Sequence, residues 1–119
     1  MIALILRNDT ATAPPMALTL IDMGFQVICV ESLGAADAMV RGSQIDVVIT
    51  DELIGNTLSH NLLLSVERRN PHASAFVLTD KKGTDADELF LLLPSVYALL
   101  PVNAPTQMLI RFVNNPNCL

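Results

Sequence analysis

Five short apolar runs recur along the chain, each separated from the next by a stretch with helical spacing. This alternation limits the fold more than any other feature. Ile2 to Leu6 (IALIL) is apolar without a break, the pattern of a strand covered on both faces. Gln26 to Val30 (QVICV), Ile45 to Thr50 (IDVVIT), Ala73 to Thr79 (ASAFVLT) and Tyr97 to Leu100 repeat the theme. After Thr10 and Thr12, the pair Pro14-Pro15 opens a helix, because proline is tolerated in the first turn. Met16, Leu20 and Met23 follow at helical spacing beside Ala17 and Ile21, and Gly24 stops the helix. Ser32 caps a second helix that turns Ala36, Met39 and Val40 inward and ends at Gly42. A polar loop from Asp51 to Ser59 leads to a third, with Leu62, Leu63 and Val66, closed by Asn70-Pro71. Thr84 with Asp85, Asp87 and Glu88 starts a fourth, its negative charge where the helix dipole favours it. Pro105 starts a fifth through Met108, Leu109 and Phe112. Strict alternation with short connections predicts one α/β domain over residues 1–119: an open parallel sheet with helices on both faces.

Composition narrows the function classes. Hydrophobic residues make up 51% of the 119 positions and charged residues only 16%, so the chain is no disordered tail. No stretch reaches the roughly 20 apolar residues of a membrane span. Arg7 and Asp9 interrupt the first run too early for a signal peptide. A net charge of -5 lacks the basic footprint that nucleic acid requires. Cys29 and Cys118 form no metal or redox spacing. The expectation is a reduced, cytoplasmic domain with Cys29 buried in a strand and Cys118 in the tail.

In an open parallel sheet, ligands sit outside the carboxyl ends of the strands. The residues there are Arg7, Asn8 and Asp9; Thr50, Asp51 and Glu52; Thr79, Asp80, Lys81 and Lys82; and Leu100 with Pro101. The five glycines match no phosphate-binding loop, and no nucleophile-base set falls at the strand ends. His60 and His72 are expected as solvated surface side chains. Taken alone, Asp51 is equally a capping acid, Thr79 a hydroxyl bonded to backbone, and Tyr97 a static strand aromatic.

The runs Val47-Val48-Ile49-Thr50-Asp51, Phe76-Val77-Leu78-Thr79 and Tyr97-Ala98-Leu99-Leu100-Pro101 give the chain a resemblance to response-regulator receiver domains over its full length. The resemblance implies a flavodoxin-like (βα)5 three-layer sandwich with strand order 2-1-3-4-5. It implies Asp51 as the position that accepts a phosphoryl group from a histidine kinase, with Thr79 and Tyr97 as switch positions.

The departures change the chemistry that this resemblance implies. Receivers hold Mg²⁺ with two acids after the first strand. Arg7 and Asn8 stand there, or Asn8 and Asp9 if the register shifts by one, and neither pair supplies two carboxylates. The lysine that precedes the proline after the fifth strand is Leu100 here. A guanidinium beside Asp51 repels a metal, so Arg7 is expected to pair with Asp51 where the ion would be. The expectation is a degenerate, non-enzymatic receiver without a cofactor, acting through a protein partner such as a histidine kinase or downstream effector. A phosphorylated receiver with Mg²⁺ is the alternative, and an unrelated flavodoxin-like module a further one.

The apolar surplus concentrates in Leu89, Phe90, Leu91, Leu92 and Leu93, and again in Met108 to Val113 with Phe112. That is more than one packed helix face absorbs. In receivers the fourth and fifth helices and the fifth strand form the usual docking face, so Leu89, Phe90, Leu92, Leu93, Met108 and Phe112 are expected at a homodimer interface.

Overall fold

The computed structural model of the chain describes residues 1–8, 13–79 and 96–100. Strands β1 (Ile2–Leu6), β2 (Gln26–Val30) and β3 (Val47–Asp51) alternate with helices α1 (Ala13–Asp22) and α2 (Leu33–Gly42). A short pair follows, β4 (Leu53–Ile54) and β5 (Thr57–Leu58), then α3 (His60–Arg69), β6 (Ser74–Leu78) and β7 (Val96–Leu100). The main sheet runs β2-β1-β3-β6-β7, every pairing parallel. With the hairpin β4-β5 set aside, that is the expected order 2-1-3-4-5. The helices expected from Thr84 and Pro105 lie outside the described residues. So do Asp9, Lys81, Lys82, Cys118 and the proposed interface residues Leu89, Phe90, Leu92, Leu93, Met108 and Phe112.

Alternation along each strand divides the core in two. Leu4, Leu6, Val48, Ala75 and Val77 point to one face, against Ala36 and Val40 of α2 and Leu62, Leu63 and Val66 of α3. Ala3, Ile5, Val47, Ile49, Phe76 and Leu78 point to the other, against Met16 and Leu20 of α1 and Phe25. This is why the central strands read as unbroken apolar runs: both of their faces are covered.

Helix ends follow the local chemistry that the sequence announces. Gly24, at φ +96°, ends α1 in the left-handed region, where a residue without Cβ carries no steric penalty. The N–H of Phe25 donates to Leu20 O at 3.0 Å and that of Gly24 to Ile21 O at 2.9 Å, while Phe25 and Leu20 join one apolar cluster. Ser32 Oγ accepts the Ala35 N–H at 3.1 Å and caps α2. Asn70 ends α3 and does more: its Oδ1 accepts the Ile45 N–H at 3.0 Å and its Nδ2 donates to Val40 O at 3.4 Å. A buried amide thus satisfies backbone groups that the turn into β3 would otherwise strand.

Two local expectations are corrected. The loop from Asp51 to Ser59 contains an antiparallel hairpin, with Leu53 opposite Leu58 and Ile54 opposite Thr57. Its turn uses Gly55 at φ +62°, a conformation that L side chains rarely adopt. Cys29 is exposed rather than buried, because β2 lies at the end of the strand order and its run is half-covered at best. Ile21, which flanks the Met16 and Leu20 stripe of α1, is 52% exposed.

Partial burial raises the Cys29 thiol above its ordinary pKa. Less thiolate is present near neutrality, so native-state alkylation at Cys29 is expected to proceed without unfolding but more slowly than for a free thiol. Its rate should keep rising at pH values where a free thiol has levelled off. Peptide mapping that separates Cys29 from Cys118 checks this; a Cys29 labelled only after denaturation contradicts the edge placement.

Candidate functional site

The parallel register gathers the candidate residues at one end of the sheet. Leu6 pairs with Thr50 and Asp51 pairs with Leu78, so Arg7, Asp51 and Thr79 leave three adjacent strands together. Leu78 also pairs with Leu100, which places Leu100 in the same row on β7. Tyr97 lies on β7 where the register shifts, between the pairs Ala75–Val96 and Phe76–Ala98. Arg7, Asp51, Glu52 and Thr79 are each at least nine-tenths buried. Polar side chains so enclosed must satisfy one another.

Arg7 and Asp51 do so directly. Arg7 Nε donates to Asp51 Oδ1 at 3.2 Å, with both side chains only 5% exposed. The backbone N–H of Asn8 donates to Asp51 Oδ2 at 2.8 Å. Both carboxylate oxygens are therefore engaged. The expected pairing of Arg7 with Asp51 is formed, and it is a charge-assisted contact withdrawn from water.

Asn8 extends the same contact outward. Its Oδ1 accepts the Gly55 N–H at 2.8 Å, and its Nδ2 donates to Leu53 O. The amide side chain thereby binds both β4 and the turn of the hairpin. An aspartate at this position could accept but not donate, so it could not make both bonds.

Glu52 is the residue that sequence reasoning noted at the strand end without giving it a role. Its N–H donates to Leu78 O and its carbonyl accepts the Ser59 N–H, each at 2.8 Å. Its carboxylate Oε1 accepts a hydrogen bond from Thr79 Oγ1 at 3.0 Å. His60, expected in solvent, is instead partly buried at the start of α3, with Nε2 4.0 Å from Glu52 Oε2. His72 is exposed, as expected. The available signal was an acid placed directly after Asp51 at the end of a buried strand, where an unpaired carboxylate would be costly.

A receiver fold implies a divalent cation beside the acceptor carboxylate. Among the described residues no group of three His, Cys, Asp or Glu could hold a metal, and Asp9 lies outside them. Mg²⁺ seeks near-octahedral oxygen ligands, whereas the neighbours of Asp51 here are a guanidinium and a backbone N–H. A cavity of about 410 Å³ lies at the far end of the sheet, lined by residues that include Arg41, Asp46, Arg69 and His72. It is not part of the site.

No family model matches the sequence, and no curated protein matches it either. Solved structures do resemble the fold. A response regulator receiver domain protein (CheY-like) from Methanospirillum hungatei superposes with TM-score 0.84 at 16% identity, covering 97% of this chain and 91% of that one. The chemotaxis protein CheY4 of Vibrio cholerae gives 0.82 at 15% identity, with 96% of each chain covered. A Burkholderia pseudomallei response regulator, solved with a phosphorylated aspartic acid and calcium, gives 0.77 at 16%, covering 92% of this chain and 64% of that one. The chain therefore has the flavodoxin-like fold of CheY-like receiver domains. Among the described residues no helix is long and apolar enough to cross a membrane.

Removing one member of a buried pair leaves the other charge stranded, at a cost of about 3–5 kcal/mol. Arg7→Ala is therefore expected to lower unfolding stability by about that much, read from urea denaturation. Arg7→Lys keeps the charge but loses the planar donor fork, and should fall between the two. Equal stability of Arg7→Ala and wild type would contradict the burial of the pair.

Proposed function

We propose that the chain is a degenerate receiver: a signalling domain that acts through protein contacts, without phosphoryl transfer at Asp51. The observation that carries this reading is the buried contact between Arg7 and Asp51. Phosphoryl transfer depends on positioning and on neutralising the charge of the equatorial oxygens. Both oxygens of Asp51 already accept hydrogen bonds, one of them from the guanidinium, and this withdraws electron density from the carboxylate that would have to attack. A permanently charged guanidinium in contact with Asp51 repels a cation that approaches the carboxylate. Leu100 brings no second positive charge to the same row. Arg7 supplies instead a fixed cation that needs neither kinase nor metal. Together these features support a site held in one state.

The partner in this reading is a protein, either a histidine kinase or a downstream effector, and the domain pairs with a second copy in the cytoplasm. Support for pairing comes from the apolar runs holding Leu89, Phe90, Leu92, Leu93, Met108 and Phe112. A buried apolar face of this kind does not tolerate a carboxylate.

Incubation with acetyl phosphate, or with beryllofluoride, in the presence of Mg²⁺ is expected to leave the mass and the amide chemical shifts unchanged. A stable adduct on Asp51 would overturn the reading in favour of an active phosphoacceptor. Light scattering is expected to report a dimer that Leu92→Glu converts to monomer; an unchanged mass removes the assigned face.

A further inference from the structure

We propose that Glu52 is a built-in anion that holds the Thr79 hydroxyl, so that the switch side chain is occupied whatever the state of Asp51. The proposal rests on the reading of Asp51 as a site closed by Arg7, and assigns that site its second internal partner.

Three observations support it. First, the Glu52 backbone is held on both sides, by its N–H to Leu78 O on β6 and by the Ser59 N–H to its own carbonyl. Its side chain thus starts from a fixed Cα, and only its own rotamers remain to be ordered. Second, the Thr79 hydroxyl has one proton to give, and gives it to Glu52 Oε1 at 3.0 Å. Both side chains are buried, where a bond to a charged acceptor is about twice as strong as a neutral one. Third, Glu52 follows Asp51 directly in the chain, so the same strand end carries a second formal negative charge of its own.

These facts make Glu52 a positioning residue for Thr79. An anion on Asp51 can recruit Thr79 only by displacing a carboxylate that the backbone already delivers. Restoring acidic side chains at positions 7 and 8 would leave that obstacle in place.

Nuclear magnetic resonance on the full chain tests this with two separate reporters. Three-bond couplings at Thr79 report its χ1 rotamer, and the Arg7 Nε–H resonance reports the pair with Asp51. The wild type and Glu52→Gln, which keeps an acceptor oxygen, are expected to show a single Thr79 rotamer. Glu52→Ala should show averaged couplings while the Arg7 Nε–H stays protected. Glu52→Asp, one methylene short of Thr79, should average in the same way and serves if Glu52→Ala does not fold. Averaged couplings in the wild type, or a single rotamer kept in the shortened variants, would overturn the proposal. An Arg7 Nε–H that exchanges freely in the wild type would instead defeat the closed-site reading, leaving the Thr79 couplings to judge Glu52.

Discussion

A guanidinium and a carboxylate removed from water need each other, because neither can be left alone in the interior without a large loss of solvation. Arg7 and Asp51 meet that requirement at the carboxyl ends of β1 and β3, the adjacent strands at the middle of the sheet. Much of the local structure follows from it. Asp51 fixes the Asn8 N–H, and Asn8 in turn clasps the hairpin that begins at Leu53. Glu52, set between the strand and the hairpin, is held by β6 and by the start of α3, and turns its carboxylate to Thr79. A chain of contacts thus runs from β1 through β3 and the hairpin to β6. Every charge in it is one the chain itself carries.

The sheet makes such an arrangement affordable to the fold. Its two apolar layers are built without the polar end, since Leu4, Leu63 and Val77 pack on one face and Ile5, Leu20 and Phe76 on the other. The opposite end shows the same logic with neutral or singly charged groups. Asp46 Oδ2 accepts the Ile2 N–H at 2.7 Å, and Asn70 serves Ile45 and Val40. Polar residues at both ends therefore answer local hydrogen-bonding needs, and among the described residues the buried pair of opposite charges is at the carboxyl end.

Legibility differed from residue to residue. The pairing of Arg7 with Asp51 could be anticipated by placing both residues at the ends of neighbouring strands, because parallel register sets their distance. The roles of Asn8 and Glu52 could not. Both depend on the turn at Gly55, whose hairpin is only two residues on each side and leaves little periodicity to detect. Cys29 was misread because an apolar run looks the same in a central strand and in an edge strand with partial cover. His60 was misread because its neighbour Glu52 is brought to it by the folded loop rather than by sequence spacing along a helix.

Alternating apolar runs and capped helices were enough, from sequence, to determine the parallel sheet and the residues at the carboxyl ends of its strands, while its order came from the resemblance to receiver domains. Period and capping are local properties, and short connections leave few ways to join such elements. The folded structure decided which strand lies at the edge, how Asp51 to Ser59 turns back on itself, and which hydroxyl meets which carboxylate. Those outcomes depend on contacts between residues far apart in the chain, such as Asn8 with Gly55 and Glu52 with Thr79, and on the burial that makes each polar group find a partner.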